Sequence, residues 1–220
     1  MAEARISRAR MSASDRRSQL IEVALDVFSR QGFRGATTRE IAAQAGVAEG
    51  LIFRHFPSKE ALYTAVLDSR LNSPEQENWL AEIKGFMDRD DDEGVFRSLI
   101  RRMIERYARD PRFQRVVLFA ALEGHELGLA RLSETAAPQV HSVINYIARR
   151  QKAGSFLQCE PNRILLAIDG MAYFYGMVTQ IFRFPIPHVP DEETAEAFTR
   201  ISMHGMCRSE FGNSGKKAAK

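Results

Sequence analysis

Residues 37–56 read TTREIAAQAGVAEGLIFRHF, and this stretch carries most of the information about the fold. Thr37 is followed three residues later by Glu40, a spacing that predicts a capping box at the start of a short helix. Gly46 then predicts a tight turn, because glycine tolerates a positive φ. A second short helix is predicted over residues 49–56. Two short helices joined by such a turn predict a helix-turn-helix.

The two short helices have distinct inner and outer faces. Ala42 and Ala45 are small enough for one helix to cross the other closely. Val47, Ile52 and Phe56 are placed to point inward. The outer positions are left for Glu49, Leu51, Phe53, Arg54 and His55. A second helix with a free outer face is the element that enters the major groove of DNA in proteins with this motif.

The flanking sequence completes a three-helix domain over residues 14–60. Ser14 predicts the N-cap of a first helix, in which apolar residues recur at helical spacing over residues 20–28. Gly32 is placed to end that helix. Pro57 interrupts the chain after the third helix, and a further helix is predicted to start directly after it.

At this point the sequence resembles the tetracycline-repressor-like family of bacterial transcriptional regulators. The resemblance is carried by an ordered set of stretches, namely residues 20–28, 32–33, 37–42, 45–47 and 54–62. Together they span about a fifth of the chain, all of it N-terminal. An isolated Ala-x-x-x-Gly-Val would be a weak signal, whereas the whole set in this order is specific.

The resemblance implies an all-α fold, with the helix-turn-helix domain joined to a larger helical domain for effector binding and dimerisation. It implies a homodimeric, sequence-specific regulator of transcription, a repressor released from a palindromic double-stranded DNA operator by a small, largely apolar effector. It implies neither catalysis nor a cofactor. The alternatives are a helical adaptor and an architectural DNA-binding protein without effector control.

The resemblance also implies roles on DNA for individual residues. Thr37 and Thr38 are expected to hold a phosphate at a helix N-terminus. Arg39 is expected to reach a base edge, most simply a guanine, the alternative being a solvated charge. Lys59 and His55 are expected to contact phosphates beside the major groove. The full expected set is Thr37, Thr38, Arg39, Ala48, Glu49, Gly50, Leu51, Phe53, Arg54, His55 and Lys59.

Three positions depart from the family's usual pattern. Ala48 stands where Ser or Thr is usual, so the recognition helix lacks a side-chain cap, at a cost of about 1 kcal/mol. Leu51 replaces a frequent Thr, and Phe53 replaces a usual Tyr. Glu49 could accept from a cytosine or face solvent. We therefore expect weak direct readout, with more reliance on Arg39, phosphate contacts and DNA shape.

Residues 61–211 are expected to form the larger helical body. The predicted helices cover residues 74–87, 93–109, 113–126, 137–152, 161–184 and 191–211. Acidic, proline and glycine breakers separate them, and no alternating strand pattern of useful length occurs. Residues 212–220 are expected to be a disordered tail.

The late helices are expected to form the dimer. The segment over residues 164–182 is apolar nearly all round, so it should be buried on two sides, one of them by a second subunit. In the related family the last two long helices make this contact. A purely intramolecular core is the alternative. The expected interface residues are Ile164, Ile168, Gly170, Met171, Tyr175, Val178, Phe182, Phe198, Ile201, Ser202, Gly205 and Met206.

The family's body holds an effector pocket between its middle helices. The candidates here are Trp79, Phe86, Met103, Tyr107, Phe119, Leu122, Glu123, His141, Tyr146, Tyr173 and Phe174. Aromatic and Met side chains with a few polar groups are typical of a pocket for an apolar ligand. Taken singly, each of these residues is as readily explained as ordinary core.

Charge is distributed unevenly along the 220 residues. Residues 1–60 hold ten Lys or Arg and seven Asp or Glu, whereas residues 61–215 hold eighteen and twenty-one. A basic head is the expected footprint of a polyanion partner. Residues 1–13 are expected to be a flexible basic tail, which either contacts DNA or only aids solubility.

Other classes of protein find little support in the sequence. The two cysteines, Cys159 and Cys207, form no CxxC pair, so no metal site is expected, and their redox state is left open. Residues 164–181 are apolar, but Asp169 and Gln180 interrupt them before the ~18 residues that a membrane span requires. A cytoplasmic protein is expected.

Overall fold

All regular elements that the computed structural model describes are helices, so the all-α prediction is confirmed. The structure describes residues 11–185, 187 and 189–206. The helices are α1 Ala13–Gly35, α2 Thr38–Ala45, α3 Glu49–His55, α4 Lys59–Leu71, α5 Pro74–Asp88, α6 Asp92–Arg109, α7 Arg112–Glu123, α8 Glu126–Lys152, α9 Pro161–Gly176 and α10 Asp191–Met206. A π-helical turn, Met177–Ile181, extends α9.

The described residues divide into two compact units. The first runs to Leu71 and also takes in Arg112–Arg131, and the second comprises Asn72–Pro111 and the residues from Leu132 onward. The predicted DNA-binding domain, residues 14–60, stays a prediction, whereas the first compact unit also includes α4 and a returning segment. The reason is that α1 buries apolar side chains on two sides, and the short α2 and α3 are too small to cover both. α4 and α7 pack along α1 and complete its core.

The first helix begins earlier and ends later than predicted. Its N-cap is Ser12 and not Ser14, and the Ser12 hydroxyl accepts a hydrogen bond from the backbone N–H of Asp15 at 3.0 Å. Arg16 and Arg17 lie near the start of α1, inside the helix that the sequence also predicts there. Gly32 has the non-helical backbone angles expected of a glycine that interrupts a helix, with φ of 72° and ψ of −175°, and helical backbone resumes beyond it as far as Gly35. Most of the expected tail, residues 1–10, lies outside the described residues, as do residues 207–220.

The core of the first unit has an aromatic centre. The rings of Phe28 and Tyr63 meet edge to face with centroids 5.0 Å apart, and Phe33 meets Tyr63 in the same manner at 5.2 Å. Phe28 is fully buried and Tyr63 is almost so. Large rings packed edge to face are a favourable arrangement beyond their buried area. This cluster fixes the end of α1 against α4.

In the second unit, α5, α6, α8, α9 and α10 enclose a separate core. Its central side chains are fully buried and include Phe96, Ile100, Ile147, Phe156 and Ile168. α8 starts at Glu126 and not at 137, because Pro138 lies inside the helix instead of at its beginning. Proline costs one backbone hydrogen bond there but its φ is already helical, so the long helix tolerates it.

A network of charged side chains ties the corner between α5 and α6 to α8. The Asp92 carboxylate accepts two hydrogen bonds from the Arg150 guanidinium, both at 2.8 Å, and a third from the Tyr146 hydroxyl. Arg149 pairs with Asp90 and also donates to the backbone carbonyl of Met87. Burial and the Asp92 contact raise the pKa of Tyr146, so its hydroxyl stays protonated and remains a donor.

Candidate DNA-binding surface and effector groove

The start of α2 is fixed by its cap. Thr37 has extended backbone angles, and its hydroxyl accepts a hydrogen bond from the N–H of Glu40 at 3.1 Å. The Glu40 carboxylate accepts a hydrogen bond from Gln31 of α1, so the reciprocal half of the predicted capping box is replaced by a contact between helices. The first N–H groups of an α-helix have no partner within the helix, so a helix start of this kind favours an anion.

The turn between α2 and α3 is the glycine hinge that the sequence predicts. Gly46 has φ of 66° and ψ of 37°, the left-handed region that only glycine adopts without strain. The N–H groups of Gly46 and Val47 donate to the carbonyls of Ala43 and Ala42 at 3.1 and 3.0 Å. Ala48 gives α3 no side-chain cap, as expected from its methyl group.

The inner and outer faces are confirmed by burial. Ile52 and Phe56 are buried in the first unit, while Phe53 is 47% exposed on the opposite side of α3. Arg39 and Arg54 are both exposed. Within the part of the chain that the structure describes, neither guanidinium has a hydrogen bond or an ion pair. Two unpaired cations on one motif are available for a polyanion.

Two residues predicted to contact DNA bind each other. The Thr38 hydroxyl donates to a Glu49 carboxylate oxygen at 2.5 Å and so joins the first turns of α2 and α3. Glu49 is partly buried by this contact. The bond presets the position of the Glu49 side chain at the start of α3, where its second oxygen is free to accept another donor.

Lys59 has an internal role that the sequence did not predict. Its ammonium donates to the carbonyls of Phe33 and Ala36 at 2.8 and 3.0 Å and lies 4.3 Å from the centre of the Phe33 ring. Two of its three protons are therefore used within the protein. The signal in the sequence is weak, because the partners are backbone atoms more than twenty residues away.

A groove of about 770 Å³ borders the helix-turn-helix and adds residues that sequence reasoning missed. It runs between the first turns of α1 and the outer face of α3, and its basic side chains are Arg16, Arg54 and His55. Next to it, the Arg17 guanidinium lies 4.8 Å from the centre of the Phe56 ring. Both arginines are on the first helix that the sequence predicts, but the sequence does not show that this end of α1 borders α3.

The second unit has an apolar groove of about 480 Å³ between α5 and α8. Trp79, Ile83 and Met87 line it from α5, and Val143 and Tyr146 line it from α8. The indole N–H of Trp79 donates to Ser98 at 3.0 Å, which fixes the ring. The rim carries Lys84, Asp88, Ser142 and Arg149.

The predicted pocket residues are scattered, because only Trp79 and Tyr146 line this groove. Phe86 and Met103 pack against the core of the second unit, Tyr107 is fully buried and His141 is exposed. Phe119, Leu122 and Glu123 lie in the first unit. Tyr173 and Phe174 are 38% and 65% exposed. Hydrophobicity in the sequence predicts that such residues are buried or make contacts, but it does not predict whether they line a pocket or pack in a core.

The predicted dimer residues also divide by burial. Ile164, Ile168, Val178 and Ser202 are buried inside the protomer and are not free for a partner. Met171, Tyr175 and Phe198 are partly buried, and Gly170, Phe182, Ile201 and Gly205 are exposed. The side chain of Met206 is outside the described residues. The sequence does not distinguish the buried from the exposed residues among them. A helix that is apolar all round has no polar side from which the direction of its buried face could be predicted.

The exposed side of α9 is itself apolar. Leu166, Gly170 and Phe174 follow one another at spacing of four, and Leu166 is 71% exposed. Contrary to the sequence expectation, the segment Pro161–Ile181 is long and apolar enough to meet the length and composition of a membrane span, with 33% of it buried. A large exposed apolar stripe marks an interaction surface.

No group of three or more His, Cys, Asp or Glu side chains is placed to hold a metal within the described ranges. Cys159 forms no disulfide with any residue that the structure describes. Cys207 lies beyond the last described residue, so the pairing of the two cysteines stays untested.

Comparison with known proteins agrees with the resemblance seen in the sequence. Residues 20–66 match the family described as bacterial regulatory proteins, tetR family. Over 89% of its length the chain is 29% identical to the HTH-type transcriptional regulator RutR of Escherichia coli, of which 92% is covered. It is 25% identical to the nucleoid occlusion factor SlmA of Shewanella loihica, with 85% of this chain and 93% of that protein covered.

A similar fold occurs in solved structures. The transcriptional regulator FadR from Bacillus subtilis, solved in complex with stearoyl-CoA, superposes with a TM-score of 0.63 at 16% identity. The superposition covers 86% of this chain and 98% of that one. At this level of identity the likeness concerns the fold.

Proposed function

We propose that this chain, a TetR-like bacterial regulator, binds a palindromic DNA operator as a homodimer and releases it when a small, largely apolar effector binds. The observation that carries the proposal is the pair of unpaired, exposed guanidinium groups of Arg39 and Arg54 on a glycine-hinged helix pair. Such a regulator acts in the cytoplasm. RutR, to which most of the chain is similar, is a transcriptional regulator, and no catalytic role is proposed.

On DNA, α3 would lie in the major groove. Arg39 is proposed to donate two hydrogen bonds to a guanine, worth about 1–3 kcal/mol of discrimination. The N–H groups at the start of α2, with Thr37, would bind a phosphate. Arg54 and Arg16 would contact the backbone on either side of the groove that they border. The Thr38–Glu49 bond would hold the carboxylate in reach of a cytosine amino group.

Dimerisation would use the exposed apolar side of α9. Leu166, Gly170 and Phe174 form a ridge with a small residue in its middle, where a partner helix could approach closely. Ile201, 59% exposed, would extend the surface onto α10. A two-fold axis through this face would present two recognition helices to major grooves roughly 34 Å apart.

The dimer is tested by sedimentation of Leu166→Glu, which places a charge at the centre of the ridge. We expect this variant to be monomeric and to bind a palindromic site at least tenfold more weakly, since a monomer engages one half-site. Leu157→Glu is the matched control, because Leu157 is 53% exposed but lies outside α9 and α10. A Leu166→Glu protein that stays dimeric would exclude this face.

The effector would bind in the α5–α8 groove. Its volume of about 480 Å³ and its apolar walls are typical of small-molecule sites. Lys84 and Arg149 at the rim favour an anionic group at one end of the ligand, although each already pairs with a carboxylate. An apolar chain with an anionic head combines both features. Stearoyl-CoA, the ligand of FadR from Bacillus subtilis, has this general chemistry and is a reasonable first probe.

Trp79, the only tryptophan of the chain, reports directly on this groove. Fatty acids and acyl-CoA thioesters should change its fluorescence and should weaken operator binding by the same factor that operator weakens theirs. Ser142→Phe should block the groove, whereas Ser133→Phe, on the same helix but not lining the groove, should not. Equal ligand affinity for the two variants would mean that the effector does not bind in the α5–α8 groove.

The DNA-binding function is tested by selecting bound sites from random DNA with the purified protein. We expect a palindromic consensus, because a two-fold dimer reads two equivalent half-sites. Binding without any sequence preference would instead favour an architectural role. The chain is also similar to a nucleoid occlusion factor, so the selection should distinguish an architectural role from the regulation of genes.

A further inference from the structure

Residues 32–37 run from the bend at Gly32, through the last residues of α1, to the N-cap of α2, and are called the linker. This linker is bound by a side chain from a distant part of the first unit. The Glu123 carboxylate, on the last residue of α7, accepts hydrogen bonds from the backbone N–H groups of Phe33 at 3.1 Å and Arg34 at 3.3 Å. Charge-assisted bonds of this kind are roughly twice as strong as neutral ones.

Gly32 makes this contact possible. A Cβ added to Gly32 would lie 2.1 Å from the Glu123 Oε1 atom, so no other residue leaves room for the carboxylate. The positive φ of Gly32 turns the next two N–H groups toward the same point, as in the concave anion-binding turns formed by successive backbone amides. The bend in α1 therefore forms a small anion site, and Glu123 occupies it.

Other side chains hold the same linker from its remaining sides. Lys59 binds the carbonyl oxygens of Phe33 and Ala36. The His125 ring packs on the Phe33 ring with centroids 4.1 Å apart and on Tyr63 at 4.9 Å. Burial and the charge of Glu123 raise the pKa of Tyr63 to about 12, so the ring stays neutral beside the carboxylate.

The held linker leads directly into the residues proposed to read DNA. Thr37, the N-cap of α2, follows Ala36 without a spacer, and Arg39 lies two residues further along. A shift of the linker therefore moves both residues. The glycine turn at residue 46 then passes the shift on to α3.

We propose that Glu123 is a positioning residue for DNA binding, which sets the orientation of α2 and α3 by holding the backbone of the α1–α2 linker. The role rests on the proposed function of the helix-turn-helix. Glu123 is well placed for control, because the chain enters α7 from the second unit at residue 111 and returns to it within α8 at residue 132. A displacement of α7 or of the start of α8 would then reach the linker through this carboxylate, together with the His125 ring that packs on Phe33.

The test compares Glu123→Ala and the isosteric Glu123→Gln with Glu126→Ala and Glu126→Gln. Glu126 is exposed, lies three residues away and makes no hydrogen bond or ion pair among the described residues, so it controls for the loss of charge. The first readout is amide hydrogen exchange of Phe33 and Arg34 by NMR. We expect exchange about tenfold faster in Glu123→Ala, an intermediate rate in Glu123→Gln, and no change in the Glu126 variants.

The second readout is affinity for the selected operator, measured where unfolding experiments show that every variant is fully folded. We expect about tenfold weaker binding by Glu123→Ala, a factor in the ordinary range of coupling between sites. Faster exchange without a loss of affinity would overturn the positioning role, and unchanged exchange would overturn the contact itself. If the unmodified protein selects no DNA sequence, the proposed function fails and the positioning role fails with it, whereas the exchange rates still decide whether the carboxylate holds the linker.

Discussion

Replacing Asp92 by alanine tests the charged network that fixes the corner between α5 and α6 to α8. Asp92 and Arg150 have side chains only 13% and 17% exposed, so this pair is screened little by water. The substitution removes the acceptor of two guanidinium hydrogen bonds and of the Tyr146 hydroxyl. The Arg150 guanidinium is then left partly buried, and its remaining partner is the Asp90 carboxylate, with Nη1 and Oδ2 3.3 Å apart.

The expected loss of stability is about 3 kcal/mol. Removing one partner of a buried ion pair typically costs about 3–5 kcal/mol, and the residual Asp90 contact places this case at the lower end. Asp88→Ala is the control of the same type, because Asp88 pairs with Lys84 on the surface of α5, where the side chains are 60% and 69% exposed. A surface pair of this spacing contributes only about 0.3–0.5 kcal/mol.

Urea unfolding, followed by Trp79 fluorescence, measures both variants in the unit that contains them. We expect Asp92→Asn to fall between the unmodified protein and Asp92→Ala, since an amide oxygen can still accept from Arg150 but carries no charge. Equal losses for Asp92→Ala and Asp88→Ala would refute the assignment, because the network would then be no stronger than a solvated pair.

Two further substitutions have effects of predictable sign. Burial raises the pKa of Asp169 from 3.8 to about 6, so the folded state loses stability as the pH rises from about 4 to about 6. Asp169→Asn should therefore stabilise the protein by about 3 kcal/mol in urea unfolding at pH 7.5 and not at pH 4, and an equal effect at both pH values would exclude this cause. Gly46→Ala should destabilise it by about 1 kcal/mol, because a Cβ meets open space but a positive φ is strained, whereas Gly50→Ala in α3, also in open space, should be neutral or stabilising. If calorimetry shows the two alanines to be equivalent, backbone strain at the hinge is excluded.

Local signals in the sequence predicted the helix-turn-helix. The cap at Thr37, the turn at Gly46 and the inward side chains of Ile52 and Phe56 each depend on neighbours within a few residues. Ser12 and Ser14 are both acceptable caps by type, so the sequence could not decide between them. Either cap places Arg16 on the helix, but its position beside α3 is a contact between segments that local signals do not show.

Contacts between distant segments could not be predicted in this way. Glu123 was predicted to be one of the polar residues of the effector pocket. Nothing near it in the sequence indicates a hydrogen bond to the backbone N–H of Phe33. The rotation of α9 was equally hidden, because Ile168 and Phe174 have similar hydrophobicity but face opposite environments. Periodicity locates helices, while tertiary packing decides which of their sides are covered.

The central claim is that the exposed face around Arg39 reads DNA sequence, and Arg39→Ala tests it most directly. Its affinity is measured against the selected operator and against a scrambled duplex at the same salt concentration. We expect a loss of about tenfold to a hundredfold on the operator and a much smaller loss on the scrambled duplex, since a base contact is worth about 1–3 kcal/mol. Equal losses on both duplexes would mean that Arg39 only neutralises phosphate charge, which would contradict the claim.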